Sequence, residues 1–501
     1  MTDAFTSALE KVLCRELAGF QALLSCQQLT AGASQETYRL RIEDTCGQRQ
    51  LALRLSQPSL EADSSVGGIS LATEARLFQV AGAAGIPGPG INYVLQPEDG
   101  LGSGFMMEWL DGETLGQRIV RAEELAGVRP RLARECGQIL GRIHALDWQA
   151  AGLTGALPEV DPATLVEETW SYYRDFNVPV PMIDYTWRWL RENLPQESRT
   201  TLVHGDFRNG NLMVTADGIN AVLDWELAHI GDPVRDLGWL CVNSWRFGND
   251  ALPVGGFGAI EDLLAGYHET SGLDIRQQEL EFWQVFGSFW WAMATLQMAQ
   301  AWRAGDTPSL ERPVIGRRSS EAQMDCVNLL IPGEFPLPDL DGPIDEGTQL
   351  PMPAELLAGV ATFLKEQVAA KLDPHDSFLA RVAANSLGIA QREFLFGGDL
   401  ATQEAQRLRE LLGQQGQLEA LRWELVMRLR KDLPLNTPGL AQHLRLTVAG
   451  QLAIDQPRYS ALRPRGEPGQ HTPALRDCAC LCADVGAARY RNPARWQYPE
   501  T

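Results

Sequence analysis

One stretch near the middle of this 501-residue chain restricts its fold more than any other. Leu202-Val-His-Gly-Asp-Phe-Arg-Asn-Gly-Asn-Leu-Met-Val214 continues through Thr215-Ala-Asp-Gly-Ile-Asn220 into Ala221-Val-Leu-Asp-Trp225. Met213-Val214 and Ala221-Val-Leu223 are short apolar runs of strand character, and Asp217-Gly218 between them is a strong turn signal. The stretch therefore reads as a loop entered from an apolar strand and closed by a tight antiparallel hairpin. Centred on that dipeptide, the hairpin sets Asn211 directly opposite Asp224. Opposed residues of such a pair have Cβ atoms about 5 Å apart, so a carboxylate and an amide oxygen here can share one cation. Hard oxygen donors with room for water and phosphate oxygens suit Mg2+.

Asp206 precedes Asn211 in the pattern Asp-x-x-x-x-Asn, with Asp224 one hairpin later. Kinase-like phosphotransferases use this arrangement: the first Asp orients or deprotonates the attacking hydroxyl, while the Asn and second Asp hold metal against the phosphates. His204-Gly-Asp-Phe-Arg-Asn-Gly-Asn211 and Leu223-Asp-Trp-Glu-Leu-Ala-His-Ile-Gly-Asp-Pro-Val-Arg-Asp236 resemble, in order and separation, the two signature blocks of the aminoglycoside phosphotransferase-like kinases. The resemblance spans roughly Leu29 to Leu330. Leu237-Gly-Trp-Leu-Cys-Val-Asn-Ser-Trp-Arg-Phe-Gly248 is most similar to the branch whose members are sometimes fused to acyl-CoA dehydrogenases. That branch implies hydroxylated acyl-CoA or other small alcohols, such as amino alcohols, as acceptors rather than antibiotics. The block around Arg381-Val-Ala-Ala-Asn-Ser-Leu387 and Gln391-Arg-Glu-Phe394 is similar to an uncharacterised helical domain appended to such kinases.

The resemblance implies ATP and Mg2+ as cofactors, Asp206 as the catalytic residue, and Asn211 and Asp224 as metal ligands. Thr30-Ala-Gly-Ala-Ser-Gln-Glu-Thr37 occupies the place of the phosphate-covering loop, where Gly32 permits close backbone approach and Ser34 donates to phosphate oxygens. Arg54 stands where the family usually has lysine. Leu51, Leu53 and Leu55 point to the other face of their strand, so Arg54 projects alone, able to pair with Glu74 and reach the α- and β-phosphates. Glu108 to Leu110 is the expected hinge, reading adenine through backbone groups. Asp232, before Pro233, and Asp236 read as structural, the latter bonding the backbone of the catalytic loop. His204 reads as a brace for that loop. His144, together with most of Trp239, Trp245, Phe247, Trp290 and Trp291, reads as packing.

The expected fold class is α+β, a bilobal protein-kinase-like fold with a small antiparallel-sheet lobe and a helical lobe, followed by an all-α domain. Tyr38–Ile42 and Leu51–Leu55 alternate like strands, a helix starts near Leu71 and stops near Gly85-Ile-Pro87, and Phe105–Trp109 is a third apolar run. From Glu113 to about Leu330 helices dominate. The expected boundaries are residues 1–107 for the first lobe, 108–331 for the second, 332–353 for a Pro-rich linker, 354–462 for the helical domain and 463–501 for a loosely ordered tail.

Composition narrows the partners. Sixty-four acidic against 43 basic residues give a formal charge of −21, which repels nucleic acid and anionic membranes. Phe282–Trp302 is apolar enough to resemble a membrane span, but Gln284, Gln297 and Gln300 interrupt it, so a buried helix is expected. The N-terminus lacks the pattern of a signal peptide, and the nine cysteines, mostly scattered, fit reduced thiols in a cytoplasmic protein. Cys478-Ala-Cys-Leu-Cys482 is spaced too tightly for a usual zinc ribbon. The lysines are Lys11, Lys365, Lys371 and Lys431, so no mechanism can use a lysine between Val12 and Leu364. The leading expectation is a small-molecule kinase whose partner is a hydroxyl acceptor, with a homodimer as one possible assembly. The alternative is a nucleotide-binding pseudokinase scaffold acting through the helical domain. A metal-dependent hydrolase ranks last, because the seven histidines do not pair at ligand spacing.

Overall fold

The structure is a computed structural model that describes residues 3–29, 35–56, 69–305, 309–333 and 351–462. Gly32, Ser34 and the Cys478–Cys482 run lie outside the described residues. Helix α1 (Asp3–Glu16) is followed by the meander β1 (Phe20–Leu29), β2 (Gln35–Asp44) and β3 (Gly47–Ser56). Then come α2 (Leu71–Ala83), β4 (Ile91–Val94) and β5 (Gly104–Glu108). The strands form one antiparallel sheet in the order β1-β2-β3-β5-β4.

The pleat decides which residues of β3 are buried. Leu51, Leu53 and Leu55 pack into a cluster with Leu9, Val12 and Leu13 of α1, while Arg54, between them in sequence, takes the opposite face. Ser70 caps α2 by accepting from the Thr73 amide, and the helix buries Leu71, Glu74, Ala75, Leu77, Phe78 and Ala81 at three- and four-residue spacing. A carboxylate on that buried stripe is the exception that sequence periodicity alone does not explain.

Helices α3 (Gly116–Arg121), α4 (Arg129–His144), α5 (Pro162–Asp175) and α6 (Pro181–Glu192) follow. Two small antiparallel pairs come next: β6 (Thr201–Val203) with β9 (His229–Gly231), and β7 (Leu212–Thr215) with β8 (Gly218–Val222). After β9 the chain forms α7 (Val234–Leu240), α8 (Ile260–Ser271) and α9 (Gln277–Ala304). The Phe282–Trp302 stretch falls within α9, where Phe282, Trp283, Phe286 and Phe289 are buried in the protein. No helix among the described residues is long and apolar enough to cross a membrane. The remaining helices are α10 (Glu311–Arg317), α11 (Ser319–Leu330), α12 (Pro353–Phe363), α13 (Pro374–Leu412), α14 (Leu418–Lys431) and α15 (Leu440–Asp455). The chain divides into two compact units, Met1–Ala294 with Asp325–Leu330, and Thr295–Met324 with Ile331–Thr501. The antiparallel sheet, the helical remainder and the C-terminal helices are the expected α+β class.

Candidate active site

Strand β6 delivers His204, Gly205 and Asp206 into a loop whose backbone is held from behind. Gly205 has φ 84°, and a Cβ there would lie 2.2 Å from the Leu227 carbonyl oxygen, so the position accepts only glycine. Asp236, in the first turn of α7, accepts from the His204 amide at 2.8 Å and from the Gly205 amide at 2.9 Å. Its Oδ2 also lies 3.1 Å from Nε2 of His144. Burial alone would raise this carboxyl, but the bond from His144 and the loop donors outweigh it and bring Asp236 down to about 2. His144 is therefore more than packing: its other ring nitrogen bonds the Tyr267 hydroxyl at 3.1 Å, tying α8 to the same network.

His204 braces the loop backbone, as expected. Its Nδ1 accepts from the Asp206 amide at 3.2 Å and its Nε2 donates to the Leu223 carbonyl at 3.1 Å, which one neutral tautomer satisfies. Full burial holds the ring below its usual pKa despite the carboxylates nearby. Asp232 accepts from the Val234 amide at 2.9 Å and so caps the turn into α7.

Asp206 is 8% exposed and gripped from three sides. Its Oδ1 accepts from Trp239 Nε1 at 2.8 Å and from Arg208 Nε at 2.9 Å; its Oδ2 accepts from Asn211 Nδ2 at 2.6 Å. Asn211 Nδ2 also donates to the Asp206 carbonyl at 3.0 Å. Both amide hydrogens of Asn211 are thus turned toward Asp206, which directs its Oδ1 away from that carboxylate.

The hairpin register differs from expectation. Leu212 pairs with Val222 and Met213 with Ala221; after a bulge, Val214 pairs with Ile219 and Thr215 with Gly218. The turn residues are Ala216 and Asp217, one position earlier than the Asp217-Gly218 dipeptide. The Asn211 carbonyl accepts from the Leu223 amide at 2.8 Å, so Leu223 stands opposite Asn211 and Asp224 lies one residue beyond. A shift of one residue reverses the face of every side chain. The backbone of Asp224 takes the left-handed conformation at φ 64°, uncommon for a residue other than glycine, and its carboxylate bonds Arg54.

Arg54 spans two carboxylates: Nη2 to Asp224 Oδ1 at 2.5 Å and Nη1 to Glu74 Oε1 at 3.2 Å. Glu74 is 1% exposed, and burial pushes its carboxyl up to about 7 against the pull of Arg54. The structure thus brings Arg54, Glu74 and Asp224 into one chain of charges, and Asp206 and Asn211 into one hydrogen-bonded set. At the end of β5, Glu108 donates its amide to the Gly90 carbonyl at 2.9 Å and accepts from the Gly90 amide at 3.0 Å. Its amide is thereby committed to the sheet edge. Leu110 follows, just before the bridge in which Glu113 and Val214 exchange backbone bonds of 2.8 and 2.9 Å, tying the connector to the hairpin.

The model of the phosphotransferase enzyme family matches residues 25–273, spanning the sheet, Arg54, Glu74 and the whole Asp206–Asp236 region. These residues belong to that family. They form a phosphotransferase-family domain. A second match, over residues 370–459, is to a domain of unknown function. Acyl-CoA dehydrogenase family member 10 of Mus musculus is 32% identical over 249 residues, 48% of this chain and 22% of that protein. Acyl-CoA dehydrogenase family member 11 of Gallus gallus is 27% identical over 307 residues, 56% of this chain and 38% of that protein. The chain therefore spans well under half the length of either relative. A Ralstonia eutropha JMP134 protein assigned to the aminoglycoside phosphotransferases superposes with TM-score 0.53 at 23% identity, covering 64% of this chain and 96% of that one, which establishes the fold.

Two features of the phosphotransferase domain were not anticipated in these roles. Trp239 reads in sequence as core, yet its indole N–H reaches Asp206 from a cluster shared with Val242, Trp245, Trp290 and Trp291. Arg208 both bonds Asp206 and lies over the Trp245 ring, 4.5 Å from its centroid. The available signal was spacing: Trp239 falls one turn after Asp236 on a helix already aimed at the loop. Among the described residues no group of three or more His, Cys, Asp or Glu side chains is placed to hold a metal ion. The donor set still fits Mg2+, which takes only one or two protein oxygens and completes its shell with water and phosphate. Asn211 Oδ1 and the Asp224 carboxylate are oxygens of that kind.

Proposed function

We propose that this phosphotransferase domain moves the γ-phosphate of ATP, bound with Mg2+, onto a hydroxyl group of a small molecule. The observation that carries the proposal is the clamped carboxylate of Asp206. With Oδ1 filled by Trp239 and Arg208, the open lone pair is on Oδ2, where an acceptor hydroxyl would be oriented and its proton received. Asn211 Oδ1 and Asp224 would hold Mg2+, which when bound neutralises phosphate charge. Arg54, fixed by Glu74, would contact the α- and β-phosphates together with the loop at Gly32 and Ser34. Glu108 to Leu110 would border the adenine. Rate acceleration then comes from positioning and electrostatics.

The acceptor side supports a neutral or anionic alcohol over an amine. Arg208 stands beside Asp206 with its guanidinium stacked on Trp245, so an ammonium-bearing acceptor would meet like charge. Together with the names of the acyl-CoA dehydrogenase relatives, this favours a hydroxyacyl thioester over an amino alcohol. The proposed setting is the cytoplasm, and the proposed organisation keeps residues 354–462 as a separate helical domain.

A second reading, a nucleotide-binding scaffold, is favoured by the Arg54–Asp224 bond, which occupies an oxygen that a metal would need. One experiment separates them. Phosphoryl transfer from Mg·ATP is screened over hydroxyacyl thioesters, amino alcohols, sugars and aminoglycosides, with Asp206→Ala alongside. Transfer that falls about a thousandfold in the variant is expected for a positioned base. Undiminished activity in Asp206→Ala would remove Asp206 from the mechanism, and nucleotide stabilisation without turnover on any alcohol would favour the scaffold.

A further inference from the structure

The helices within residues 370–459 enclose a polar set that the phosphotransferase reaction does not use. α13 and α15 run side by side: Arg392 Nε donates to the Ile454 carbonyl at 2.6 Å, and fifteen residues along α13 Arg407 Nη2 donates to Thr447 Oγ1 at 3.2 Å. His443 precedes Thr447 by one turn on the same face of α15, which directs it toward Arg407. Its side chain is 2% exposed, and neither ring nitrogen has a hydrogen-bond partner among the described residues. Arg407 Nε is also buried without a partner, and among the described residues no carboxylate forms an ion pair with Arg407. The nearest acid, Glu404, lies one turn back on α13 and is fully engaged by Arg422 of α14 through bonds of 2.7 and 2.5 Å. Glu393 and Glu419 also act on Arg422.

The junction of three helices therefore holds two guanidinium groups, one engaged carboxylate and a buried imidazole with nothing to bond. Buried polar atoms are nearly always satisfied, so orphans on two adjacent helices mark a bound water or ion, and a guanidinium with no ion pair among the described residues selects an anion. We propose that this junction binds an oxyanion of the phosphate class, with Arg407 and His443 donating to it and Arg422 supplying charge. A tetrahedral oxyanion offers acceptor oxygens to donors arriving from different helices, whereas acetate presents two oxygens in one plane. Without the anion, burial and then the charges of Arg407 and Arg422 push His443 down to about 3. An anion at the junction opposes both charges and favours the protonated ring.

The test reads His443 directly, so phosphate bound in the nucleotide site does not enter it. Full-length protein carrying 13Cε1-labelled histidine is titrated with sodium phosphate, sodium acetate or sodium chloride at matched ionic strength. The His443 signal is assigned by its loss in His443→Gln or, if that variant does not fold, in His443→Phe, which refills the buried volume. Phosphate is expected to shift the signal saturably and to raise proton affinity at His443 at least tenfold, with chloride inert. Arg407→Gln is expected to weaken the response at least tenfold while leaving the His204 signal unchanged. A flat phosphate titration, or an undiminished one in Arg407→Gln, would overturn the site. An equal response to acetate would overturn its phosphate-class assignment.

Discussion

Replacing Trp239 with Phe asks whether Asp206 must be clamped to work. The phenyl ring keeps much of the contact with Trp245 and Trp290, whose centroids lie 5.0 and 5.4 Å from that of Trp239. What disappears is the 2.8 Å bond from the indole to Oδ1. A hydrogen bond to a charged group is worth about 1.5–3 kcal/mol. Because Arg208 and Asn211 still hold the carboxylate, the lower end applies, about 1.5–2 kcal/mol, or a ten- to thirtyfold fall in kcat at about 1.4 kcal/mol per decade. Steady-state phosphoryl transfer measures it, and KM for the nucleotide should stay within about twofold, since Trp239 bonds Asp206 and neither Arg54 nor Asp224. Trp245→Phe is the matched control: it makes the same ring change, but Trp245 Nε1 has no hydrogen-bond partner among the described residues, so kcat should change less than about threefold. A Trp239→Phe enzyme at wild-type kcat, or a Trp245→Phe enzyme impaired equally, would refute the clamp.

Three further outcomes are expected. Arg54→Met removes a guanidinium that bridges Glu74 and Asp224, and nucleotide affinity measured by calorimetry should fall about ten- to a hundredfold, whereas Asp206→Ala should leave it intact. Glu74, raised from 4.5 to about 7 mainly by burial, keeps its proton in the folded state while the unfolded chain has already lost it. Stability should therefore fall by about 3 kcal/mol as pH rises from 4.5 to 7, and Glu74→Gln should flatten that slope in urea unfolding. Parallel pH curves for the two proteins would contradict this. Gly137→Ala places a Cβ 2.1 Å from the Leu263 carbonyl oxygen and 2.6 Å from the Tyr267 amide nitrogen, so α4 and α8 must separate. The expected loss is about 2–3 kcal/mol, read as a lowered Tm.

The elements and the anchoring of the loop were legible in the sequence for reasons that act over short distances. Alternation along Leu51–Leu55 sufficed to put Arg54 on the face opposite the core, and the block His204–Asp236 carried the identities of brace and loop anchor. His204 and Asp236 do what their positions beside the loop required of them. The Asp217-Gly218 dipeptide announced a hairpin but not its register, because a bulge and a turn one residue earlier are choices made when both strands are packed.

Only the tertiary structure decided the rest. Asn211 and Asp224 do not face each other across the hairpin, and Asp224 takes a left-handed backbone and bonds Arg54, 170 residues away in sequence. Trp239, Arg208 and His144 reach Asp206 or Asp236 across gaps of 2 to 92 residues, and no local periodicity encodes which partner an indole or imidazole will find. Burial likewise belongs to the fold: the resemblance offers an Arg54–Glu74 pair, but the lifted proton affinity of Glu74 exists only because α2 and the sheet exclude water from around it. Sequence carries what a residue can do, and the three-dimensional packing sets the dielectric and the neighbours that decide whether it does so.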